Sequence, residues 1–332
     1  MSPPLPALRF LFPAWYAVVM GLCGLALAWH RAGAVMGDAT QGVTLALGGL
    51  AAAVFVALVV ATLLRARWHP QTWAEDRRHP VRHVFIAALP VAMLLLATVG
   101  VALFGTVAPT RGLWWAGSVG QLFVTWWVLS RWWRDAKAGG GLSWATVTPG
   151  LLIPIVGNVV APLAGVPLGH IEWAIVQFGV GLMFWPVVLV LIIVRLASAG
   201  PWPERLRPTA FIVAAPPAVV GLALLQLGTP IALAWGLWGM AMFSLVWAGS
   251  QWRAILALPF GMPHWGMSFP VAAVTALTLR LATPGTAMAT LGTALLAAAS
   301  LLITALALAT WRGLRDGSLL APEPAPPVAA SP

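Results

Sequence analysis

The sequence predicts an all-α integral membrane protein with ten transmembrane helices, arranged as five helical hairpins around a central pore. Three observations lead to this fold class: the composition, the positions of prolines in the hydrophobic segments, and the distribution of basic residues. Of the 332 residues, 61% are hydrophobic and 8% are charged, so the chain could not cover a water-exposed surface. Helices are favoured over a barrel, because the long apolar runs lack the alternation of polar and apolar residues that barrel strands need.

Charged residues and helix breakers divide the chain into ten predicted crossings. The run between Arg207 and Arg253 holds 45 uncharged residues, about twice a single span, and Gly-Thr-Pro at 228–230 predicts a turn inside it. Thr-Pro-Gly at 283–285 separates the last two crossings, because the residue before a proline avoids the helical conformation. The crossings are expected at residues 10–29, 41–64, 84–107, 112–130, 147–167, 173–194, 209–227, 231–251, 264–283 and 286–311.

Prolines mark every second crossing. An interior proline removes one backbone donor and clashes with the preceding turn. The freed carbonyls are satisfied by protein neighbours or by a water-filled path, which lipid cannot provide. We therefore predict that the proline-bearing crossings surround the pore, with the return crossings outside them; Pro186 in the sixth crossing is the clear exception to this alternation. The predicted kink positions are Pro13, Pro90, Pro154, Pro216 beside Pro217, and Pro270.

The basic residues predict the orientation of the chain. Of the 18 Lys and Arg residues, 15 fall on one side of the predicted topology, and only Arg31, Arg111 and Arg280 fall on the other. By the positive-inside rule both termini are cytoplasmic. We expect residues 1–9 to form a cytoplasmic segment, 10–311 the transmembrane domain, and 312–332 a disordered cytoplasmic tail, since its proline-rich end cannot bury a core.

The acidic residues all fall in predicted loops, tails or helix ends. A proton-coupled carrier normally needs a buried carboxylate, so this placement favours passive conduction or coupling through the substrate's own protonation. Glu172 and Arg280 both lie near the predicted outer face. They could pair at a pore mouth or be isolated interfacial charges, and Arg280 is the candidate pore-mouth charge.

Catalytic, metal and nucleic-acid signatures are absent from the sequence. His79 and His83 are four residues apart, but Pro80 interrupts the turn between them. The chain has neither a nucleophile elbow nor a phosphate-binding glycine loop. Cys23 is the one cysteine, so no intrachain disulfide can form. We predict no enzyme activity, no metal and no cofactor, and we attribute the net charge of +10 to topology rather than to nucleic acid.

Two segments carry residues suited to a pore. In the fifth crossing, Gly157 exposes backbone and Asn158 places an amide at membrane depth, either lining the pore or making an interhelical hydrogen bond. In the ninth, Phe269 lies directly before Pro270. A phenyl ring there could be core packing, or it could gate a pore by steric closure and dewetting.

These segments resemble the tellurite-resistance/dicarboxylate transporter family, which includes TehA-like bacterial proteins and the plant slow-type anion channels. The resemblance rests on residues 12–21, 79–81, 152–158 (Leu-Ile-Pro-Ile-Val-Gly-Asn) and 265–270 (Trp-Gly-Met-Ser-Phe-Pro). It implies five hairpins around a proline-kinked pore, a homotrimer with one pore per subunit, and an anion path closed by Phe269. The family often has a second aromatic residue two positions before the gate, where this chain has Met267.

The leading hypothesis is a channel or channel-like transporter in a bacterial inner membrane that passes small anions such as chloride or nitrate. Pore diameter and the cost of dehydrating the ion would set its selectivity. The alternative on the same fold is a transporter or exporter of C4-dicarboxylates, sulfite, tellurite or another oxyanion, which would need a basic side chain such as Arg280 on the path. An intramembrane enzyme or haem protein is a third hypothesis, weakened by the missing catalytic constellations.

Overall fold

The computed structural model describes residues 6–134 and 141–321, and within these residues every regular element is a helix. The prediction of an all-helical protein is confirmed for this part of the chain. Its α-helices are α1 (Tyr16–Met36), α2 (Ala39–Trp68), α3 (Pro70–Arg78), α4 (Ala88–Phe104), α5 (Ala108–Ser130), α6 (Ile153–Gly165), α7 (Ile171–Ala199), α8 (Ala215–Gln226), α9 (Ile231–Gly249), α10 (Trp252–Leu256), α11 (Ser268–Leu281) and α12 (Ala287–Arg315).

Five of these helices contact one another in a closed ring. Helix α1 packs on α4, α4 on α6, α6 on α8, α8 on α11, and α11 returns to α1. Each ring helix also packs against the helix that follows it, so α2, α5, α7, α9 and α12 lie next to the ring. Nearly every residue of α6 is buried, whereas α2 and α9 present most of their apolar side chains to the exterior. That distribution is expected when lipid replaces water as the surrounding medium.

A 3-10 segment leads into each ring helix, and the predicted kink prolines lie in these segments or directly after them. Pro13 begins the segment before α1, while Pro90, Pro154, Pro216 and Pro270 are each the second or third residue of their helix. The first four N–H groups of an α-helix have no partner within it, so a proline here removes no helical hydrogen bond. The 3-10 geometry before it also avoids the clash with the carbonyl four residues back. A bend of the helix axis at these prolines stays a prediction.

The 3-10 segments lengthen two of the short ring helices, α6 and α11. Helix α6 has 13 residues, which rise about 20 Å. The four residues of Pro149–Leu152 before it add about 8 Å, because a 3-10 helix rises faster per residue. The combined length is close to the hydrocarbon thickness of a bilayer, about 30 Å. Helix α11 and Met262–Met267 reach about 33 Å in the same way.

Seven helical stretches of the described residues are long and apolar enough to cross a membrane. They support a multi-pass membrane protein. The other three predicted crossings coincide with α5, α6 and α11, of which α6 and α11 have only 13 and 14 α-helical residues. The count of ten crossings therefore stays a prediction. The seven stretches are Pro13–Met36, Ala39–Trp68, Arg82–Phe104, Ile171–Ala199, Glu204–Gln226, Ile231–Gly249 and Ala287–Arg315.

The two turns predicted from Gly-Pro sequences lie between helices. Helix α8 ends at Gln226 and α9 begins at Ile231, and Gly228 between them has a φ of 76°. Helix α11 is separated from α12 at Gly285, whose φ is 79°. A positive φ is costly for residues with a side chain, so glycine at these positions allows the chain to reverse.

The described parts of both chain ends lie at the same end of the ring. Helix α12 continues past the predicted boundary at 311 to Arg315, and a turn follows as far as Ala321. In this turn the Leu319 N–H donates to the Gly313 carbonyl at 3.2 Å. The tail predicted to be disordered is 312–332; its first residues, to Arg315, belong to α12. Residues 322–332 lie outside the described residues, as do 1–5 and 135–140.

Candidate functional site

A cavity of about 500 Å³ lies among the ring helices at the end where they begin, and we call it the vestibule. Arg9 and Leu319, from the two chain ends, both contribute to its lining. Farther along the helices it is bounded by Met20 on α1, Val91 on α4 and Gly157 on α6. The vestibule therefore extends from the first and last described segments of the chain into the centre of the ring.

The predicted gate residue, Phe269, lies at the inner end of the vestibule. Its side chain lines the cavity and is only 7% exposed. The ring also packs against Gly24, where an added Cβ would lie 3.1 Å from the ring Cδ2 atom. Gly24 is about one helical turn farther along α1 than Met20, the deepest α1 residue of the lining. This position suits a constriction, and gating by Phe269 stays a prediction.

Close packing of α1, α11 and α12 holds this part of the ring in place. A Cβ added to Gly21 would overlap the Ser268 side chain, and one added to Gly24 would lie 3.0 Å from Ala272 Cβ. Small residues allow such close approach of two helices. The Trp265 Nε1–H donates to Thr310 Oγ1 on α12 at 2.8 Å. These contacts fix the start of α11, and with it the backbone of Phe269.

The other predicted pore residues divide into two groups. Gly157 and Pro270 line the vestibule together with Phe269. Asn158 is fully buried and lies outside the vestibule lining. Its Nδ2 donates to Thr125 Oγ1 on α5 at 2.8 Å and to the Pro154 carbonyl at 3.0 Å. The sequence allowed Asn158 either to line the pore or to make an interhelical hydrogen bond, and the structure contains the hydrogen bond. The remaining prolines, Pro13, Pro90, Pro154 and Pro216, are also outside the lining.

Asn158 belongs to a buried polar network between α5, α6 and α7. Gln121 Nε2 donates to the Pro154 carbonyl at 2.7 Å, and Thr125 Oγ1 donates to the same carbonyl at 2.6 Å. Gln177 Nε2 donates to Asn158 Oδ1 at 3.3 Å, which brings α7 into the network. These bonds satisfy polar groups that lipid could not, and they hold α6 in one rotational position.

The rim of the vestibule is basic. Three arginines and two histidines contribute to the lining, and no aspartate or glutamate does so among the described residues. The deeper lining is mainly apolar and aromatic. A site with this charge distribution attracts anions to its mouth without offering a fixed charge farther in. The basic residues are Arg9, His79, Arg82, Arg205 and His264.

A buried ion pair supports this rim. Asp76, expected from the sequence to be a loop residue, is fully buried, and its Oδ2 lies 2.6 Å from Arg65 NH1. Its other oxygen lies 3.7 Å from Arg82 NH1. Arg65 also donates from Nε and NH2 to the Arg9 carbonyl at 3.4 and 3.3 Å. The pair thus connects α2 and α3 to the N-terminal segment at the rim. Sequence reasoning missed it, because Arg65 and Asp76 are separated by the break at 69–70.

Arg280 lies away from the vestibule, in the last turn of α11, and is exposed. Its described electrostatic neighbour is Arg31, a like charge at the same end of α1. Glu172 is exposed at the start of α7, and no ion pair joins it to Arg280 among the described residues. The pairing that the sequence allowed is therefore not made, and a role for Arg280 at an outer mouth stays a prediction.

Among the described residues, no group of three His, Cys, Asp or Glu side chains could hold a metal ion. His79 and His83, the spaced histidines of the sequence, face different neighbours: His79 Nδ1 accepts from the Val81 and Arg82 amides at 3.1 Å. The His83 Nδ1 atom is 3.0 Å from the His79 carbonyl. Both rings are therefore engaged with backbone groups of their own segment.

The chain is similar in sequence to several known proteins, and all of the similarities point to one family. The chain is 26% identical to the tellurite resistance protein TehA homolog of Haemophilus influenzae, over 78% of each chain. It is 25% and 23% identical to the S-type anion channels SLAH2 and SLAH1 of Arabidopsis thaliana, over 83% and 80% of this chain. The match covers 53% of SLAH2, about half its length, and 71% of SLAH1. Residues 11–311 match the family described as voltage-dependent anion channel, SLAC1. The match spans nearly the whole chain, and the protein therefore belongs to the SLAC1 family of membrane anion channels and transporters, with TehA-like proteins among its relatives.

Proposed function

We propose that this protein is a channel, or channel-like transporter, that passes small monovalent anions such as chloride and nitrate along the axis of the helix ring. One observation carries the proposal. The vestibule has a basic rim with no carboxylate among its described lining residues, and Phe269 lies at its inner end. The family and the two plant relatives named as anion channels point the same way.

Selectivity is expected to arise from dehydration rather than from tight binding. The rim charges raise the anion concentration at the mouth, but their effect is screened beyond about 8 Å in physiological salt. Deeper in, an ion meets apolar side chains such as Met20, Val91 and Val156. It must give up part of its hydration shell there, so weakly hydrated monovalent anions should pass most easily.

In this proposal Phe269 is the gate. A phenyl ring at a narrow apolar point blocks a pore by its bulk and by excluding water. Pro270 directly follows it, so the ring lies at the junction between 3-10 and α geometry. The ring packs against Gly24, and the missing side chain there brings it close to the α1 backbone. Rotation of the ring away from the axis would open the path.

The proposed topology has ten crossings as five hairpins, with both termini cytoplasmic in a bacterial inner membrane. The shared position of Arg9 and Leu319 at one mouth supports an even number of crossings. Reporter fusions after Gly139 and Gly317 should read cytoplasmic, and fusions after Val35 and Gly165 should read external. A homotrimer rests on the family resemblance, and native mass spectrometry of the purified protein would measure it.

Planar-bilayer recordings of Phe269→Ala and Phe269→Leu test the gate. Removing the ring should leave a wetted path, so conductance should rise severalfold in the Ala variant and less in the Leu variant. Phe178→Ala is a matched control, because Phe178 is a buried phenylalanine outside the vestibule. It should lose stability, by about 3–5 kcal/mol on the scale for buried aromatics, without gaining current. An unchanged current in a stable Phe269→Ala protein would reject the gate.

Proteoliposome flux tests the substrate. Chloride, nitrate, sulfite and malate should be compared side by side under equal gradients. Fast, non-saturating chloride and nitrate flux would support the channel. Saturable, proton-dependent transport of malate or sulfite without chloride conductance would contradict the channel proposal. It would favour the alternative, a carrier for dicarboxylates or oxyanions.

A further inference from the structure

We propose that a second cavity, beside the vestibule, binds an oxyanion of the phosphate class at a site separate from the conduction path. This side cavity has a volume of about 250 Å³, which is enough for a phosphate group and several waters. It lies at the same end of the helix ring as the vestibule, between the end of α3, the end of α5 and the segment that leads into α6. Its lining residues are Arg78, Pro80, His83, Arg131, Trp132, Gly141, Leu142, Ser143, Thr146 and Leu151.

Two guanidinium groups from different elements line this cavity. Arg78 is the last residue of α3, and Arg131 is the first residue after α5. Arg131 gives one N–H to the Arg77 carbonyl at 2.8 Å and stacks over the Trp127 ring at 5.2 Å, which fixes its position. Ser143 adds a hydroxyl, and no carboxylate appears among the described lining residues. Guanidinium groups with a hydroxyl are the usual ligands of a phosphate oxyanion.

Three arginines near the side cavity have carboxylate partners. Arg65 and Arg82 both lie beside Asp76, and Arg9 lies 3.7 Å from a Glu75 oxygen. In contrast, neither Arg78 nor Arg131 forms an ion pair within the described part of the chain. Two like charges around one cavity repel each other, and an anion between them offsets that repulsion by attracting both. Arg78 and Arg131 therefore present positive charge to the side cavity that no carboxylate of the described residues offsets.

The wall between the two cavities is the segment 78–83. Its residues are divided between the two cavities, so that a ligand in the side cavity would contact the back of the vestibule wall. Backbone amides of this segment donate to His79 Nδ1, which stiffens it. The side cavity is thus a distinct compartment that shares one wall with the path. Arg78, Pro80 and His83 face the side cavity, while His79, Val81 and Arg82 face the vestibule.

The oxyanion could be a free phosphate or the headgroup of an anionic lipid. Trp132 lines the cavity and the adjacent Trp133 is 93% exposed, a placement typical of the membrane interface. Both sources present the same phosphate oxygens to Arg78 and Arg131. The experiment therefore has one arm for each source.

In the first arm, the full-length protein in neutral phosphatidylcholine nanodiscs is titrated with inorganic phosphate at constant ionic strength, and the shift in thermal unfolding is followed. Arg78→Gln should weaken apparent phosphate affinity about tenfold, the size expected for one charge-assisted contact. Arg253→Gln is the matched control, because Arg253 is an exposed arginine that is absent from the lining of both cavities. Ser143→Ala, which removes a hydroxyl without altering charge, should weaken binding by a smaller factor.

In the second arm, native mass spectrometry counts phosphatidylglycerol retained by the wild-type protein and the same variants. Selective loss of one retained lipid in Arg78→Gln supports a headgroup in the cavity, even where free phosphate does not bind. The proposal is overturned if neither ligand depends on Arg78, or if Arg253→Gln weakens binding equally, since that indicates general charge attraction. It is also overturned if Arg9→Gln abolishes phosphate binding while Arg78→Gln does not, because the ion would then lie in the vestibule.

Discussion

Gly157→Ala should destabilise the protein by breaking the polar network behind the vestibule. A Cβ at this position would overlap the Gln121 amide and lie 2.6 Å from Val91 Cγ2. Gln121 cannot keep its hydrogen bond to the Pro154 carbonyl and also make room for the methyl group. Glycine at 157 therefore allows α5 to reach the backbone of α6.

The expected magnitude follows from three effects. An unpaired buried amide costs about 1–3 kcal/mol. Overpacking against Val91 adds about 1–3 kcal/mol. The higher helix propensity of alanine stabilises the helix by about 1 kcal/mol and offsets part of this loss. The net loss should be about 3 kcal/mol.

Tryptophan fluorescence during denaturant titration of the purified protein measures this loss, with Gly49→Ala as the control. Gly49 is a helical glycine with open space around it, so alanine there should be neutral or slightly stabilising. The double variant Gln121→Ala with Gly157→Ala should be more stable than the two single effects predict, since the methyl group then has room. If Gly157→Ala and Gly49→Ala are equally stable, the clash and the role of Gln121 are both refuted.

Three further changes test other parts of the molecule. Asp76→Asn leaves Arg65 buried without its charge partner and should lower the free energy of unfolding by about 3–5 kcal/mol. Glu204→Gln, in an exposed pair, should lower it by less than about 1 kcal/mol. Denaturant titration measures both values. Trp265→Phe removes the hydrogen bond to α12 and should lower the free energy of unfolding by about 1 kcal/mol in the same assay. An unchanged denaturation midpoint would show that this bond does not contribute to stability. Arg9→Gln should reduce anion current at low ionic strength and have little effect at high salt, because rim charges are screened; a salt-independent loss in bilayer recordings would indicate a folding defect instead.

The helical fold and the ring helices could be predicted because their signals are local. The alternate prolines identify α1, α4, α6, α8 and α11, and both Gly-Pro turns separate the helices that they were expected to separate. The sequence did not reveal that the prolines lie at junctions between 3-10 and α geometry. That outcome depends on how the preceding turn packs, which is a tertiary property.

The sequence could not predict which neighbours the side chains of the ring helices would contact. Helix α6 is buried on nearly every side, so it has no polar face to indicate its rotation. Asn158 and Gly157 are adjacent in sequence, yet one bonds to α5 and α7 and the other lines the vestibule. The basic rim was equally hidden, because its residues come from places as far apart as Arg9 and His264.

The first and last described segments of the chain both line the vestibule, which has a practical consequence for anyone who adds a tag. A peptide fused at either end is joined through the terminal residues to segments that line the rim, at Arg9 and at Leu319. Short flexible tethers hold such a peptide at millimolar effective concentration. An acidic tag would then compete with permeating anions for the rim arginines, and a polyhistidine tag would add positive charge there as the pH falls. Currents recorded before and after proteolytic removal of the tag would separate the intrinsic conductance from that of the tethered peptide.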